Sequence, residues 1–242
     1  MTKTPIRWIV NTEPLNSWDA LKAIAVICMV IDHAGALLFP DQTWMRIIGR
    51  AAMPIFLFLT GFAPHYRWSW AILAAALIVT GSEVWHGKAL LPLDILFTIL
   101  LARGLLALME KGKIPTREIW VWPFLGFLLY PSIFIIDYGT PALLFAVFGF
   151  MQRHRAEYSA KLRASFLALS ALISIVIFGV SFEFDTVHMI GNAIIVALTC
   201  VALYRFRIKP IHLPTGAREI TWALSRLALY IFVIHLVVFR AL

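Results

Sequence analysis

The chain has 242 residues, of which 61% are hydrophobic and 14% are charged, and its mean hydropathy is +0.85. Soluble globular domains carry about 25% charged residues, so this composition excludes a water-soluble fold. The formal net charge of +8 would suggest nucleic-acid binding in a soluble protein. Here the lysines and arginines fall mainly between apolar runs, which is typical of membrane topology and predicts no nucleic-acid partner.

Apolar segments follow one another from residue 19 to residue 239, and most have the length of about 17–25 residues that a helix needs to cross a bilayer. We therefore predict an all-α fold, a polytopic transmembrane helix bundle of about nine spans, in which residues 1–242 form a single integral membrane domain. The predicted spans are 19–39, 46–63, 68–86, 89–109, 118–136, 139–152, 162–181, 187–206 and 220–239. Residues 1–17 are mostly polar and are expected to form a cytoplasmic or interfacial amino-terminal segment that is not cleaved.

Basic residues are concentrated in every second connection between the predicted spans. The connections after spans two, four, six and eight carry most of them, whereas the connection around Glu183 and Asp185 is acidic. Because basic loops remain on the cytoplasmic side, this pattern predicts a multi-pass protein with a cytoplasmic amino terminus. Cys28 and Cys200 both fall within apolar runs, so neither a disulfide framework nor a metal site is expected.

The first two spans carry ionisable residues inside apolar sequence, where they are costly unless they face protein or water. Lys22 lies near the cytoplasmic end of span one and can extend to the interface, but Asp32 and His33 lie in its outer half. Arg46 and Arg50 are four residues apart at the start of span two, so they share one helical face at about the same depth. Pairing is the simplest way to accommodate them, and we predict an ion pair of Asp32 with Arg50 or Arg46.

His33 is expected to face a cavity. Neighbouring residues on a helix project about 100° apart, so Asp32 can turn to the arginines while His33 points elsewhere. An imidazole in a cavity can act as a base near neutral pH. Lys22 and His33 are eleven residues apart, almost three helical turns, and lie on one face about 16 Å apart, which suits a rod-shaped substrate.

Later spans add polar residues at a similar depth. Glu83 lies near the outer end of span three, Asp94 begins span four, and span nine contains Tyr230 and His235. The predicted topology places Glu83, Asp94 and His235 in the same half of the membrane as the residues of span one, which favours one shared polar site. Pro54 interrupts span two, and its position is explained equally well by a structural kink and by a functional role.

Several short motifs resemble those of the TraX family. The resemblance covers the first three spans well, is loose through spans four to eight, and returns in the last span. The matching motifs are Leu21-Lys22-x-Ile24-Ala25, Met29-x-Ile31-Asp32-His33-x-Gly35, Arg46-Ile47-Ile48-Gly49-Arg50 followed by Pro54-Ile55-Phe56, Ser82-Glu83, and Tyr230-x-x-x-x-His235-Leu236. The chain is also similar to the wider transmembrane acyltransferases, including the acyltransferase-3 family, in which a basic residue and a histidine stand ten residues apart in the first helix. The chain has Lys22 where those enzymes usually have arginine.

The resemblance implies an acetyl-CoA-dependent N- or O-acetyltransferase of the bacterial cytoplasmic (inner) membrane. The TraX family is associated with N-acetylation of the amino terminus of conjugative pilin, with acetyl-CoA as donor. The implied partners are therefore acyl-CoA, a pilin-like protein or another extracytoplasmic acceptor, and the lipid bilayer. Lys22 would meet the anionic head of the donor at the cytoplasmic surface.

The expected chemistry is attack of an amine or hydroxyl acceptor on the thioester, with His33 as the general base. Asp32 would fix Arg46 or Arg50, either of which could stabilise the oxyanion. The sequence leaves open whether His235 or Tyr230 protonates the thiolate or orients the acceptor, and whether transfer is direct or passes through an acetyl-histidine.

Two other functions remain open at this stage. Intramembrane Asp, Glu, His and Arg residues also mark the pathways of proton- or ion-coupled transporters, which would use the Asp32, His33 and Arg50 cluster. The second of these is a noncatalytic scaffold in an export assembly. Binding of CoA distinguishes the acyltransferase from both.

Overall fold

The computed structural model describes residues 14–112 and 130–242. Its helices are α1 (Ser17–Leu37), α2 (Thr43–Gly49), α3 (Ala52–Phe62), α4 (Trp70–Trp85), α5 (Ile95–Glu110), α6 (Gly139–Arg153), α7 (Ala160–Ser181), α8 (Thr186–Arg205), α9 (Thr215–Arg226) and α10 (Ala228–Ala241). A short 3₁₀ helix, Tyr130–Phe134, precedes α6. The described residues contain no β-strand, only isolated bridges, so the predicted all-α class is confirmed.

The start of α1 is set by a capping box. The Asn16 side chain accepts a hydrogen bond from the Trp18 N–H (2.8 Å), and the Asp19 carboxylate accepts one from the Asn16 N–H (3.2 Å). These two bonds satisfy amide groups that have no partner inside the helix. Helix α1 therefore begins at a fixed residue, which fixes the depth of every side chain along it.

Four helical segments in the described part of the chain are long and apolar enough to cross a membrane. They are Ser17–Leu37, Thr43–Phe62, Ala160–Ser181 and Thr186–Arg205, and a fifth is obtained if α9 and α10 count as one span. Helices α4, α5 and α6 are apolar but have only 15 or 16 residues. The predicted span 118–136 lies largely outside the described residues. The structure thus supports a membrane bundle without confirming nine spans.

The predicted span 220–239 is not one helix. It is divided at Leu227, where α9 and α10 meet at an angle of 78°. Helix α9 is polar, and its Ser225 hydroxyl donates to the buried Asp19 carboxylate at 2.9 Å. Helix α9 is thereby held beside the start of α1, and only α10 carries the apolar sequence into the bundle.

The predicted span 46–63 contains a break. Helix α2 ends at Gly49 and α3 starts at Ala52. Pro54 has no N–H to donate to the Arg50 carbonyl, so the helical hydrogen-bond pattern is interrupted at that residue. The interruption lies beside the predicted ion pair, and Arg50 itself occupies it.

Helix α6 is the centre of the bundle, and its residues 141–152 are all buried. It crosses α3 at close range because both helices have a glycine at the contact. A Cβ atom added at Gly61 would overlap the Ala146 carbonyl oxygen, and one added at Gly149 would overlap the Phe58 carbonyl oxygen. Small residues allow such close helix packing in membranes. The crossing holds α3 against the core and leaves its other face to line a cavity.

Candidate active site

A cavity of about 760 Å³ lies between α1, α3, α4, α5 and α10. Five of the predicted site residues line it: Lys22, Asp32, His33, Arg46 and Glu83. Two others, Arg50 and His235, lie directly behind the lining and contact Asp32 and His33. Helices far apart in the sequence thus bring seven of the eight predicted residues to one site.

The cavity has two chemically different ends. One lies near the start of α1, where the Trp18 ring packs 6.1 Å from the Phe62 ring at the end of α3, and its charged lining residues are Lys22 and Arg103. The other lies at the far end of α4, and its charged lining residues are Glu83, Lys88, Asp94, Asp137 and Arg240. We call these the Lys22 end and the Glu83 end. His33 lies between them on α1.

The Asp32 carboxylate is held by two guanidinium groups, as the sequence predicted. Arg46 Nη1 lies 3.0 Å from Asp32 Oδ2 and also donates to the Asp32 backbone carbonyl at 2.9 Å. Arg50 Nη2 donates to Asp32 Oδ1. Gly49 makes this approach possible, since a Cβ atom there would overlap the Asp32 side chain. Asp32 therefore pairs with both arginines rather than with one of them.

The two arginines differ in their surroundings. The Arg50 side chain is 1% exposed, and its guanidinium carbon lies 4.3 Å from the Phe182 ring centre and 5.6 Å from that of Phe178. Aromatic faces stabilise a desolvated cation. The Arg46 side chain is 21% exposed and lines the cavity, whereas Arg50 does not. Arg46 is thus the cation that a ligand can reach, and Arg50 holds Asp32 from behind.

His33 and His235 form a hydrogen-bonded pair, with His33 Nδ1 2.6 Å from His235 Nε2. His235 Nδ1 contacts the Ile231 carbonyl, which can only accept a hydrogen bond, so this nitrogen must carry the hydrogen. In the neutral ring Nε2 is then the acceptor, and His33 Nδ1 donates to it. His33 Nε2 is left with a lone pair, in a residue that lines the cavity.

Glu83 contacts a residue at the end of helix α10. It accepts a hydrogen bond from Arg240 Nη2 and lies 3.3 Å from Lys88 Nζ. Arg240 was not predicted as a site residue, because a lone arginine near the end of the last span looks like an interfacial anchor. The available sequence signal was that Arg240 follows His235 by five residues, directly after the same predicted span.

Asp137 was also not predicted. It lies in the turn before α6, lines the cavity, and its backbone N–H donates to the Leu93 carbonyl at 2.7 Å. Burial, together with the nearby Glu83 charge, raises the pKa of the Asp137 carboxyl to about 7. The available sequence signal was an acidic residue between two apolar runs, but a charged residue in the connection between two spans has an ordinary explanation.

Tyr230 does not belong to this site. Its side chain is 65% exposed and does not line the cavity. Tyr230 and His235 are five residues apart and project about 140° apart around α10, so only one of them can face the bundle interior. Of the two residues, His235 contacts His33, whereas Tyr230 lies away from the cavity.

The comparisons with known proteins agree with the motifs. A family model described as TraX protein matches residues 17–242. The chain is 27% identical over 250 aligned positions to an uncharacterized protein of Rickettsia prowazekii (strain Madrid E), which covers 96% of this chain and 94% of that protein. It is 28% identical over 197 positions to Protein TraX of Escherichia coli (strain K12), covering 75% of this chain and 72% of that protein. No solved structure matches significantly. Since the family match includes every helix of the site, the chain belongs to the TraX protein family.

Proposed function

We propose that the protein is a membrane acyltransferase that moves an acetyl or other small acyl group from acyl-CoA to an amine or hydroxyl acceptor. The amino terminus of a pilin-like protein is the leading acceptor. One observation carries this proposal: His33, with a lone pair on Nε2, lines a cavity whose charged residues lie at two separate ends. Two substrates can then approach one base from opposite directions.

The reaction needs a base at the point where the substrates meet. The acceptor nitrogen or oxygen forms a bond to the thioester carbonyl carbon while its proton passes to His33 Nε2. The carbon–sulfur bond then breaks, and the thiolate takes that proton. His235 is a positioning residue in this scheme, because its Nε2 fixes the His33 tautomer and shares the positive charge that forms on the pair.

Arg46 is the group best placed to stabilise the oxyanion. It lines the cavity beside His33, and Asp32 holds its guanidinium through the side chain and the backbone carbonyl. A donor that is already oriented costs no reorganisation when charge develops on the substrate. Arg50 supports it indirectly by sharing the Asp32 carboxylate.

The orientation follows from the basic loops. We place the Lys22 end at the cytoplasmic face of the bacterial inner membrane, where acyl-CoA is available, and the Glu83 end at the opposite face, where an exported acceptor arrives. The distance of about 16 Å along α1 between Lys22 and His33 suits an extended pantetheine arm. Lys22 then meets the phosphates while the thioester reaches His33.

The test uses purified protein with radiolabelled acetyl-CoA and a peptide carrying the amino-terminal residues of a pilin. Wild type is expected to acetylate the peptide amine, and His33→Ala to lose at least about 100-fold in rate, the scale of general base catalysis. His86→Ala is the matched control, because His86 is exposed and does not line the cavity. Full activity in His33→Ala contradicts the mechanism.

The same experiment without acceptor separates the two forms of transfer. The His33 Nε2 lone pair can serve as base in direct transfer or as nucleophile in a two-step transfer. Label that remains on wild-type protein but not on His33→Ala indicates an acetyl-histidine. Unlabelled protein with active transfer indicates the direct reaction.

A coupled transporter is the second candidate, and the specific observation in its favour is that charged residues line the cavity at both ends. Intramembrane charges that face a shared cavity also occur in translocation pathways. Uptake of a solute or proton flux in proteoliposomes without acyl-CoA favours the transporter. Acetyl transfer without such flux favours the acyltransferase.

A further inference from the structure

The Lys22 end of the cavity is basic and has no acidic residue in its lining within the described part of the chain. Lys22 of α1 and Arg103 of α5 both line it. Arg103 Nε donates to the Arg67 carbonyl at 2.7 Å, which fixes the guanidinium beside the segment that follows α3. Two cations from different helices, α1 and α5, therefore line the cavity.

Neither cation has a counter-charge within ion-pair distance among the described residues. Asp19, three residues before Lys22 on α1, is already engaged by other groups: it accepts hydrogen bonds from Ser225 Oγ (2.9 Å) and Asn16 N (3.2 Å), and it lies 3.8 Å from Arg226 Nε. Across residues 14–112 and 130–242, neither Lys22 nor Arg103 forms an ion pair. Within these residues, the Arg103 guanidinium has a hydrogen-bond partner at Nε alone. Its two terminal nitrogens, Nη1 and Nη2, can therefore donate to a ligand.

We propose that Arg103 and Lys22 together form a subsite for a phosphate-bearing ligand. A guanidinium group binds two phosphate oxygens at once, whereas lysine acts as a point charge, so the pair gives both geometry and charge. The inference deepens the proposed function, on which it rests for the identity of the ligand: the phosphates of acyl-CoA. A phosphate lipid headgroup has the same chemistry and reaches the same interface, so the test separates the two sources.

Arg103 is the residue to change, because the first-helix lysine is already part of the donor site. Purified protein in neutral detergent is titrated with CoA and with pantetheine, which lacks the phosphates, by calorimetry. Arg103→Gln is expected to weaken CoA binding at least about tenfold and to leave pantetheine binding unchanged. Arg155→Gln is the matched control, since Arg155 is exposed and does not line the cavity, and it is expected to change CoA binding less than about twofold.

A second variant distinguishes loss of the positive charge from a defect in folding. Arg103→Lys keeps the cation and loses the planar fork that binds two oxygens, so it is expected to bind CoA more tightly than Arg103→Gln and less tightly than wild type. Native mass spectrometry of protein purified with phosphatidylglycerol forms the lipid arm. Lipid that stays on wild type and is lost from Arg103→Gln supports the subsite with a headgroup as its ligand.

The outcomes separate this inference from the proposed function. If wild type and Arg103→Gln bind CoA equally and retain lipid equally, the subsite is wrong while the acyl-CoA donor stands. If wild type binds no CoA but retains lipid through Arg103, the subsite stands and the donor is wrong. If wild type binds neither CoA nor phosphatidylglycerol, both are wrong.

Discussion

Asp32 is held between Arg46 and Arg50, and it is the residue whose loss should cost most. Removing its carboxylate leaves the Arg50 guanidinium buried without a counter-charge. Breaking one side of a buried ion pair typically costs about 3–5 kcal/mol. We expect Asp32→Ala to lower the Tm by roughly 6–20 °C in detergent. Asp41→Ala is the control, because Asp41 is exposed in the connection between α1 and α2; equal Tm values for the two variants contradict the prediction.

His235 should affect the rate of acetyl transfer through its Nε2 atom, which accepts the hydrogen bond from His33. A glutamine at this position offers a carbonyl oxygen to His33 Nδ1, whereas leucine offers none. We expect His235→Leu to lower kcat about 100-fold with little change in KM, and His235→Gln to retain activity within about tenfold of wild type. The pH profile of His235→Leu should also shift, because His33 loses the partner that fixes its tautomer. If both variants are equally active, His235 does not position His33.

Single residues show what a sequence can and cannot predict here. The Asp32 ion pair was predictable, because an acid and two bases at one depth in apolar sequence have few alternatives. The contact between His33 and His235 was not, since the residues are 202 positions apart and hydropathy does not tell which helices are neighbours. Arg240 and Asp137 were missed because each has a common explanation at a span end.

At the scale of helices, the crossing of α3 and α6 should be the most sensitive contact. An alanine at Gly61 or Gly149 places its Cβ against a backbone carbonyl of the other helix, and overpacking costs about 1–3 kcal/mol. We expect each variant to lower the Tm by several degrees and to reduce activity, because α3 lines the cavity. The measurement is thermal unfolding in detergent.

Two other helical glycines are controls for that prediction. Gly81 of α4 and Gly104 of α5 have no atoms within 4 Å of an added Cβ. Alanine at these exposed positions should be neutral or stabilising by up to about 1 kcal/mol, because alanine favours the helix. A destabilisation equal to that of the Gly61 variant would show that helix packing at the crossing is not the cause.

The helices themselves were largely predictable from hydropathy, and so was the break at Pro54, but the bend at Leu227 was not. The interruption between α2 and α3 follows from Pro54, whose effect on a helix is local. The bend at Leu227 follows a helix held by a contact between Ser225 and Asp19, which are 206 residues apart. Averaging hydropathy over a window merges the polar α9 with the apolar α10, so the sequence predicted one straight span.

At the scale of the whole molecule, the charges are arranged along the cavity. Within the described residues, the charged residues at the Lys22 end are all cations, and acids predominate among those at the Glu83 end. An anionic donor and a cationic amine would each be attracted to a different end, which reduces competition between them for the central base. In the proposed orientation, with the Lys22 end at the cytoplasmic face, this charge arrangement suits a donor and an acceptor that arrive from opposite sides of the membrane.

The Glu83 end should make stability depend on pH through Asp137. Its folded pKa is about 7 and its ordinary value is 3.8, so between these values the folded state binds more protons than the unfolded state. The free energy of unfolding must then fall as pH rises through this window, and the loss is complete above pH 7. Glu83 adds to this shift, while Lys88 and Arg50 oppose it.

Replacing Asp137 should remove the loss of stability that accompanies rising pH. We expect Asp137→Asn to gain Tm relative to wild type between pH 5 and pH 8, by roughly 2–4 °C for each kcal/mol of linked free energy. The measurement is thermal unfolding in detergent across that range, with Asp41→Asn as the control because Asp41 lies in the exposed connection between α1 and α2. Parallel curves for Asp137→Asn and wild type would show that the buried carboxyl stays charged throughout, and acids at this end would then be neutralised by Lys88 and Arg240 rather than by protons.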